Sequence, residues 1–158
     1  MTRRLSGIVR RASLDDAQAL ARLRYAFRVE RRPAVEAEDE FVLRCASWMQ
    51  PRLSVDSPWR IWILEHGGQP AGNIWLQIVD KLPNPGVEPE RHGYISNFFL
   101  RPEHRGAGWG TSLLRAALDH CHACEVDSVF LWPTDRSRPL YERHGFRPAT
   151  SMLVLDRD

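Results

Sequence analysis

Leu100-Arg101-Pro102-Glu103-His104-Arg105-Gly106-Ala107-Gly108-Trp109-Gly110-Thr111 joins a strand to a helix through alternating glycines. Upstream, Gly93–Leu100 crowds its apolar residues toward its end, as a buried strand does. Downstream, from Gly108 to about Cys124, Leu114, Leu118 and Cys121 recur on one helical stripe. The first N–H groups of a helix have no internal partner, and the helix dipole adds partial positive charge there. Glycines let a diphosphate come close to such a backbone, and Arg105 adds a full charge on a forked donor. The spacing is not that of the commoner nucleotide loops. A dinucleotide fingerprint wants G-x-G-x-x-G directly after the strand, whereas here Arg101 to Arg105 intervene and the glycines run G-x-G-x-G. A P-loop ends in Gly-Lys-Ser/Thr, and the only lysine in the chain is Lys81. A tight turn without a ligand is the plainer reading of the same residues.

Working outward, Gly7–Arg11 reads as a first strand. Ser13 and Asp16 stand at the N-cap and N3 positions of a capping box. Leu14, Ala17, Leu20, Ala21 and Phe27 mark a helix to about Arg32, which Pro33 ends. A second helix, near Glu36 to Met49, has an acidic start and puts Phe41, Cys45 and Trp48 on one face. Trp59–Glu65 and Ala71–Asp80 are strands joined by the turn His66-Gly67-Gly68-Gln69. Lys81 to Arg91, with three prolines and a glycine, is a loop. After the helix that follows the glycines come a short strand at Ser128–Trp132 and a short helix at Arg138–His144. Pro139 is tolerated in that helix's first turn and Gly145 closes it. A last strand is expected at Met152–Leu155. The order β-α-α-β-β-β-α-β-α-β belongs to the α/β (α+β) class. Hairpins make the middle strands antiparallel, and the crossover from Gly93 to Trp132 makes one parallel pair. A mixed sheet with helices on both faces follows.

Length and composition narrow the function. A chain of 158 residues suits one domain spanning 1–158. Its apolar runs are too short to cross a membrane, and the basic start Met1-Thr2-Arg3-Arg4 is followed by no signal-peptide core, so a soluble cytoplasmic protein is expected. A net charge of +2 argues against a dedicated nucleic-acid binder, although nine arginines fall between Arg3 and Arg32. Cys45, Cys121 and Cys124 are read as reduced thiols. His120-Cys121-His122-Ala123-Cys124 has no second ligand cluster elsewhere in sequence, so no metal is expected.

Two motifs carry a resemblance to a known family. Arg105-x-x-Gly108-x-Gly110 is similar to the R/Q-x-x-G-x-G/A motif of the GNAT N-acetyltransferase superfamily, and Leu140-Tyr141-Glu142-Arg143-His144-Gly145-Phe146 resembles its L-Y-x-x-x-G-F segment. The resemblance covers Gly93 through Phe146 well and the N-terminal half more loosely. It implies a GNAT fold of about six to seven strands and acetyl-CoA as co-substrate. It also implies acetyl transfer to a primary amine, on a small molecule or a peptide, by direct attack in a ternary complex. A catalytically weak acyl-CoA sensor is the alternative.

By that resemblance, the backbone of Phe98, Phe99 and Leu100 pairs with the pantetheine arm. The main chain of Gly106, Ala107, Gly108, Trp109, Gly110 and Thr111, with Arg105, holds the pyrophosphate. Tyr141 matches the tyrosine that protonates the departing thiolate, a general-acid role; packing alone is the other reading. Thr134 stands where the family often has a cofactor-contacting asparagine, and the Ser137 hydroxyl is a second candidate contact. The base is less well marked. Family members often carry a glutamate on the strand of His92, Tyr94 and Ser96, where this chain has no carboxylate. His92 is the candidate substitute, with base work through water as the alternative. For the loop Lys81–Arg91, three readings stand together: a wall of the acceptor pocket, a homodimer contact, or a solvated excursion. Of the six tryptophans, most are read as core. One or two, with Tyr25 or Phe27, are candidates to wall the acceptor site.

Overall fold

The computed structural model describes residues 6–157; the basic start at Met1–Arg4 lies outside them. Strand β1 (Gly7–Arg11) leads through a 3-10 turn into helix α1 (Ala17–Val29), followed by α2 (Glu38–Met49). Strands β2 (Trp59–His66), β3 (Gln69–Asp80) and β4 (Arg91–Leu100) form a meander. Helix α3 (Trp109–Ala123), β5 (Ser128–Phe130) and α4 (Arg138–Arg143) complete the order. The sheet runs β1-β2-β3-β4-β5, antiparallel until the final β4–β5 pair, which is parallel. This is the mixed sheet that hairpins followed by a crossover require. Among the described residues no helix is long and apolar enough to cross a membrane.

Alternation along the strands builds two cores. Ile61, Ile63 and Trp75 face Leu20, Leu23, Val42 and Met49 of α1 and α2. Trp62, Leu64, Ile74, Leu76 and Ile95 face Leu113, Leu114 and Ala117 of α3. On α2 the core stripe is Val42, Ala46 and Met49, one residue beyond the expected Phe41, Cys45 and Trp48. Those three line a cavity instead. Leu14, expected on the helix stripe, is 52% exposed, because the first turn is 3-10 and the helix proper begins at Ala17.

The last expected strand does not form: residues 152–155 have no sheet partner. Their exposure nonetheless alternates, with Met152 and Val154 half-exposed and Leu153 and Leu155 almost fully exposed. Without a ladder the backbone has nothing to pair with, so a short apolar run alone does not make a strand. The described sheet therefore has five strands rather than six or seven.

At the start of α1 the capping reading is met through its acidic half. The Asp16 carboxylate accepts the Ser13 N–H at 2.7 Å and a bidentate pair from Arg10 at 2.8 Å. Arg10 also reaches Glu65 at 3.0 Å, tying β1, the turn and β2 together. The Arg10 hydrogen bonds hold the Asp16 carboxyl below the usual carboxylate range. A depressed folded-state pKa stabilises above the unfolded value, near 3.9, and that stabilisation is lost as pH falls through the folded value. Asp16→Asn is expected to cost about 2 kcal/mol at pH 7, from loss of the charge-assisted hydrogen bonds with Arg10. Urea unfolding at pH 7 and pH 3 checks this: the gap between wild type and variant should shrink at the lower pH.

Candidate active site

Strand β4 is the axis of the site. It pairs with β5 only from His92 to Tyr94, opposite Ser128 to Phe130. Beyond Tyr94 the chain of β5 departs toward Leu131–Pro133, so the β4 edge from Ile95 to Leu100 has no strand partner. Opposite β3, the register runs Trp75↔Ser96 and then Asn73↔Phe99, so β4 carries one extra residue. The extra residue sits at Asn97, whose φ of 48° lies in the left-handed region. Such a bulge reverses the faces that follow it. Ile95 packs toward α3, whereas Phe99 packs toward α1, stacked on Phe27 at 5.2 Å.

Asn97 is held there by side chains. Arg24 Nη1 donates to its Oδ1 at 3.2 Å, and its Nδ2 donates to Asn73 Oδ1 at 3.2 Å. Asn73 Oδ1 also accepts from Trp75 Nε1 at 2.9 Å. Asn73 is fully buried, and its Nδ2 has no partner among the described residues. Strain and polar burial of this sort are worth about 1–3 kcal/mol each and collect at functional sites.

At the C-terminal end of β4, Gly106 and Gly108 adopt φ of 79° and 87°. Nothing lies within 4 Å of where a Cβ would stand on either, so the loop is open as well as left-handed. Gly108 is the N-cap of α3, and the first helical bond runs from Ser112 N–H to Gly108 O at 3.1 Å. The N–H groups of Trp109, Gly110 and Thr111 thus stand outside the helix ladder.

A cavity of about 320 Å³ gathers Phe98, Phe99, Leu100, Arg105, Gly106, Gly108, Gly110, Thr111 and Ser137. Arg136, Leu140 and Arg143 complete its wall. Nine residues chosen from sequence are therefore brought together. Ala107 and Trp109 do not line it. The Trp109 indole lies over β1, where a Cβ on Gly7 would come within 2.5 Å of it, so only the main chain of Trp109 faces the helix start. Arg105 is not a free cation: it donates to Glu30 at 2.8 and 3.0 Å and to Leu100 O at 3.0 Å. Arg136 approaches the same Glu30 at 3.6 Å. Among the described residues Arg143 has no ion-pair partner. Arg136 and Arg143 were missed in sequence; their signal is one arginine just before the short helix α4 and one at its end.

A second cavity, of about 540 Å³, adjoins the first and shares Phe98, Arg136 and Ser137 with it. Tyr141, Thr134, Tyr94, Ser96 and Asn97 line it, with Arg24 and Glu30 from α1. The Tyr141 ring is wedged between Phe98 and Phe146, with centroids 6.1 and 5.5 Å away. Burial pushes its hydroxyl up to about 12. Thr134 and Ser137 spend their hydroxyls on each other, 3.0 Å apart, and on the turn that caps α4, with Thr134 N–H donating to Ser137 Oγ at 2.9 Å.

His92 is not brought to this cleft. It bonds Ser128 Oγ at 2.8 Å and lines a different cavity, with Phe130 and Met152. The period-two rule correctly puts it on the face of Tyr94 and Ser96, but Ser96 is four residues on, roughly 13 Å along an extended strand. The proline-rich loop shares that remote end: Lys81 reaches Asp127 at 2.9 Å, and none of the loop lines either cavity described above.

None of the three thiols lines the glycine-loop cavity or the Tyr141 cleft. Burial pushes Cys121 up to about 11 and raises Cys45 as well. Cys124 lies at the end of α3, 3.3 Å from His120 Nε2. Among the described residues no three histidine, cysteine or acidic side chains converge as a metal site.

Known proteins share this architecture. The acetyltransferase (GNAT) family model matches residues 20–146. Glucosamine 6-phosphate N-acetyltransferase of Trypanosoma brucei brucei is 29% identical over 89 residues, covering 56% of this chain and 58% of that relative's length. A GCN5-related N-acetyltransferase from Ralstonia eutropha superposes with a TM-score of 0.74 at 28% identity, over 96% of this chain and 99% of the other. A predicted acetyltransferase from Clostridium acetobutylicum, solved with acetyl-CoA, reaches a TM-score of 0.79 at 22% identity over 96% of each chain.

Proposed function

The chain belongs to the acetyltransferase (GNAT) family, and from that premise we propose that it transfers the acetyl group of acetyl-CoA to a primary amine by direct attack. One observation carries the reading. The β4 edge left free by β5 leads, through the short turn at Pro102–His104, into an open, left-handed glycine loop, with Arg105, Arg136 and Arg143 around it and Tyr141 beside it. An unpaired strand edge offers the alternating donors and acceptors that an extended amide chain needs. The pantetheine arm carries two amides and would lie along Phe98 to Leu100. The pyrophosphate would meet the free N–H groups at the start of α3, a site built for anions. Arg143 supplies an uncommitted charge. Arg105 and Arg136 share Glu30, so their contribution depends on how far a diphosphate draws them away from it.

In this reading Tyr141 donates a hydrogen bond to the departing sulfur. Burial raises the pKa of Cys45 and Cys121, and neither lines the cleft of Tyr141, which supports transfer without a covalent enzyme intermediate. The amine proton leaves through water, because His92 lies at the other end of β4. Glucosamine 6-phosphate, which the trypanosomal relative's name gives as its acceptor, is one candidate within the primary-amine class.

Glu30 is committed to Arg105 and Arg136, and Asp135 is the other carboxylate that lines the Tyr141 cleft; with no base assigned, the second reading is a module that binds acyl-CoA without turnover. A thiol-release assay with acetyl-CoA and a panel of amines separates the two. Sustained release that depends on the amine is the expected result. Binding of acetyl-CoA by calorimetry, with no amine-dependent release across the panel, would establish the sensor instead.

A further inference from the structure

We propose that the acceptor is an α-amino acid with a bulky apolar or aromatic side chain, its carboxylate held by Arg24 and its side chain in the tryptophan-walled cavity beside β4. The proposal rests on the acetyl-transfer reading above and names the substrate class for it. That cavity, of about 540 Å³, lies on the α1/α2 side of the sheet. Its walls include Trp48, Trp59 and Trp75, with ring centroids 5.6–6.3 Å apart, and Phe41. Arg24, Tyr94, Ser96 and Asn97 line both this cavity and the Tyr141 cleft, so the bulge in β4 is the junction between them.

On the aromatic side of that junction the charges have one sign. The aromatic cavity is lined by Arg24 and Arg44 and by no carboxylate. Arg44 is neutralised by Glu36 at 2.7 Å. Arg24 is not: its described polar contact is the neutral Asn97 Oδ1, and no carboxylate among the described residues lies within ion-pair distance. It is half-buried, against Phe27 at 5.7 Å. Burial and the neighbouring Arg28 pull its pKa down, the signature of a guanidinium short of a counter-ion. A guanidinium has five N–H donors in a fork that fits a carboxylate. Its partner-side placement is fixed by the chain Arg24–Asn97–Asn73–Trp75 described above.

An α-amino acid fits a three-way junction because one carbon bears all three groups. With the carboxylate on Arg24 and the side chain among the tryptophans, the amine is left to face the Tyr141 cleft. A polycationic amine is disfavoured in the aromatic cavity by the uncompensated charge of Arg24. In the transfer, the N–C bond forms as the C–S bond of the thioester breaks. The ammonium nitrogen gives up two protons, one ending on the coenzyme A sulfur and one in solvent.

The test compares L-tryptophan, L-phenylalanine, L-alanine, tryptamine, spermidine and glucosamine 6-phosphate as acceptors for the full chain, with acetyl-CoA binding measured separately by calorimetry. The expected result is a kcat/KM for L-tryptophan at least 100-fold above that for tryptamine, which lacks only the carboxylate. Arg24→Gln should lower that ratio at least tenfold, chiefly through KM, and Arg24→Lys should restore part of it. Since Arg24 also steadies the bulge, Trp48→Ala is the independent variant. Trp48 is 48% exposed, and its truncation should erase the preference for L-tryptophan over L-alanine while the fold survives. Tryptamine or spermidine matching the amino acids, glucosamine 6-phosphate outperforming them, or a ratio untouched by Arg24→Gln would overturn the assignment and leave acetyl transfer standing. Failure of the wild-type chain to bind acetyl-CoA would sink the functional reading itself.

Discussion

Gly108→Glu will weaken acetyl-CoA binding at least 100-fold while the domain still folds. Both halves of that expectation follow from the loop. With φ of 87° and ψ of 0°, Gly108 occupies a backbone conformation that L side chains rarely adopt. A Cβ there costs about 1–3 kcal/mol, a tolerable loss for most domains. Nothing lies within 4 Å of that Cβ, so no core contact is broken. The added carboxylate, however, stands at the N-terminus of α3, where the pyrophosphate would sit. It competes for the free N–H groups and for Arg143, and repels the incoming phosphates. A 100-fold loss corresponds to about 2.7 kcal/mol, within reach of one misplaced charge at an anion site. Gly108→Ala is the control, since it shares the backbone strain and lacks the charge; its affinity should fall tenfold or less. Calorimetry for binding and a thermal melt for folding give the two readings. A folded glutamate variant that binds within threefold of wild type would show that the diphosphate lies elsewhere.

The loop was legible in sequence because its signals are local. Glycines at alternate positions, an arginine before them and an amphipathic stripe after them need no tertiary context. The parallel β4–β5 pair was equally legible, since a helical crossover leaves little choice. What could not be read was set at a distance. Asn97 takes its left-handed φ because Arg24 from α1 and Asn73 from β3 hold its side chain, and neither is near it in the chain. The bulge there turns the face of every later residue in β4, which a strict period of two misses. On α2, the periodicity of Phe41, Cys45 and Trp48 was real, but it marks a cavity wall, while the smaller Val42, Ala46 and Met49 make the core. Large aromatics dominate a pattern whether they are buried or line a pocket. His92 shows the converse: its face was right and its distance along the strand was wrong. Met152–Leu155 is a short apolar run of the kind a strand can have, and pairing, a non-local property, decided against it.

Tyr141→Phe will lower kcat about 100-fold or more, with the dissociation constant of acetyl-CoA within about twofold of wild type; positioned acids and donors contribute roughly 10²–10⁴. Phenylalanine preserves the contacts with Phe98 and Phe146, so the aromatic wedge between β4 and α4 stays intact. No described residue hydrogen-bonds the hydroxyl, so its removal orphans no buried partner. What is lost is one O–H donor in the cleft, and a donor that matters only as the sulfur leaves affects turnover rather than affinity. The pH dependence is a sharper check. A free thiol titrates near 8.5, whereas burial holds this phenol near 12. Full transfer of its proton to a thiolate is therefore uphill, and the hydroxyl serves as a hydrogen-bond donor that keeps its proton across the neutral and mildly alkaline range. Above its pKa the phenol becomes phenolate, the donor is lost, and wild type falls to the level of the variant. With a pKa of about 12 the ratio of wild-type to variant kcat should stay flat between pH 7 and pH 10. A ratio that collapses below pH 10 would mean that the phenol titrates normally and is not buried during turnover. An unchanged kcat would leave Tyr141 as packing alone, and a tenfold weaker acetyl-CoA affinity would move its role from turnover to binding.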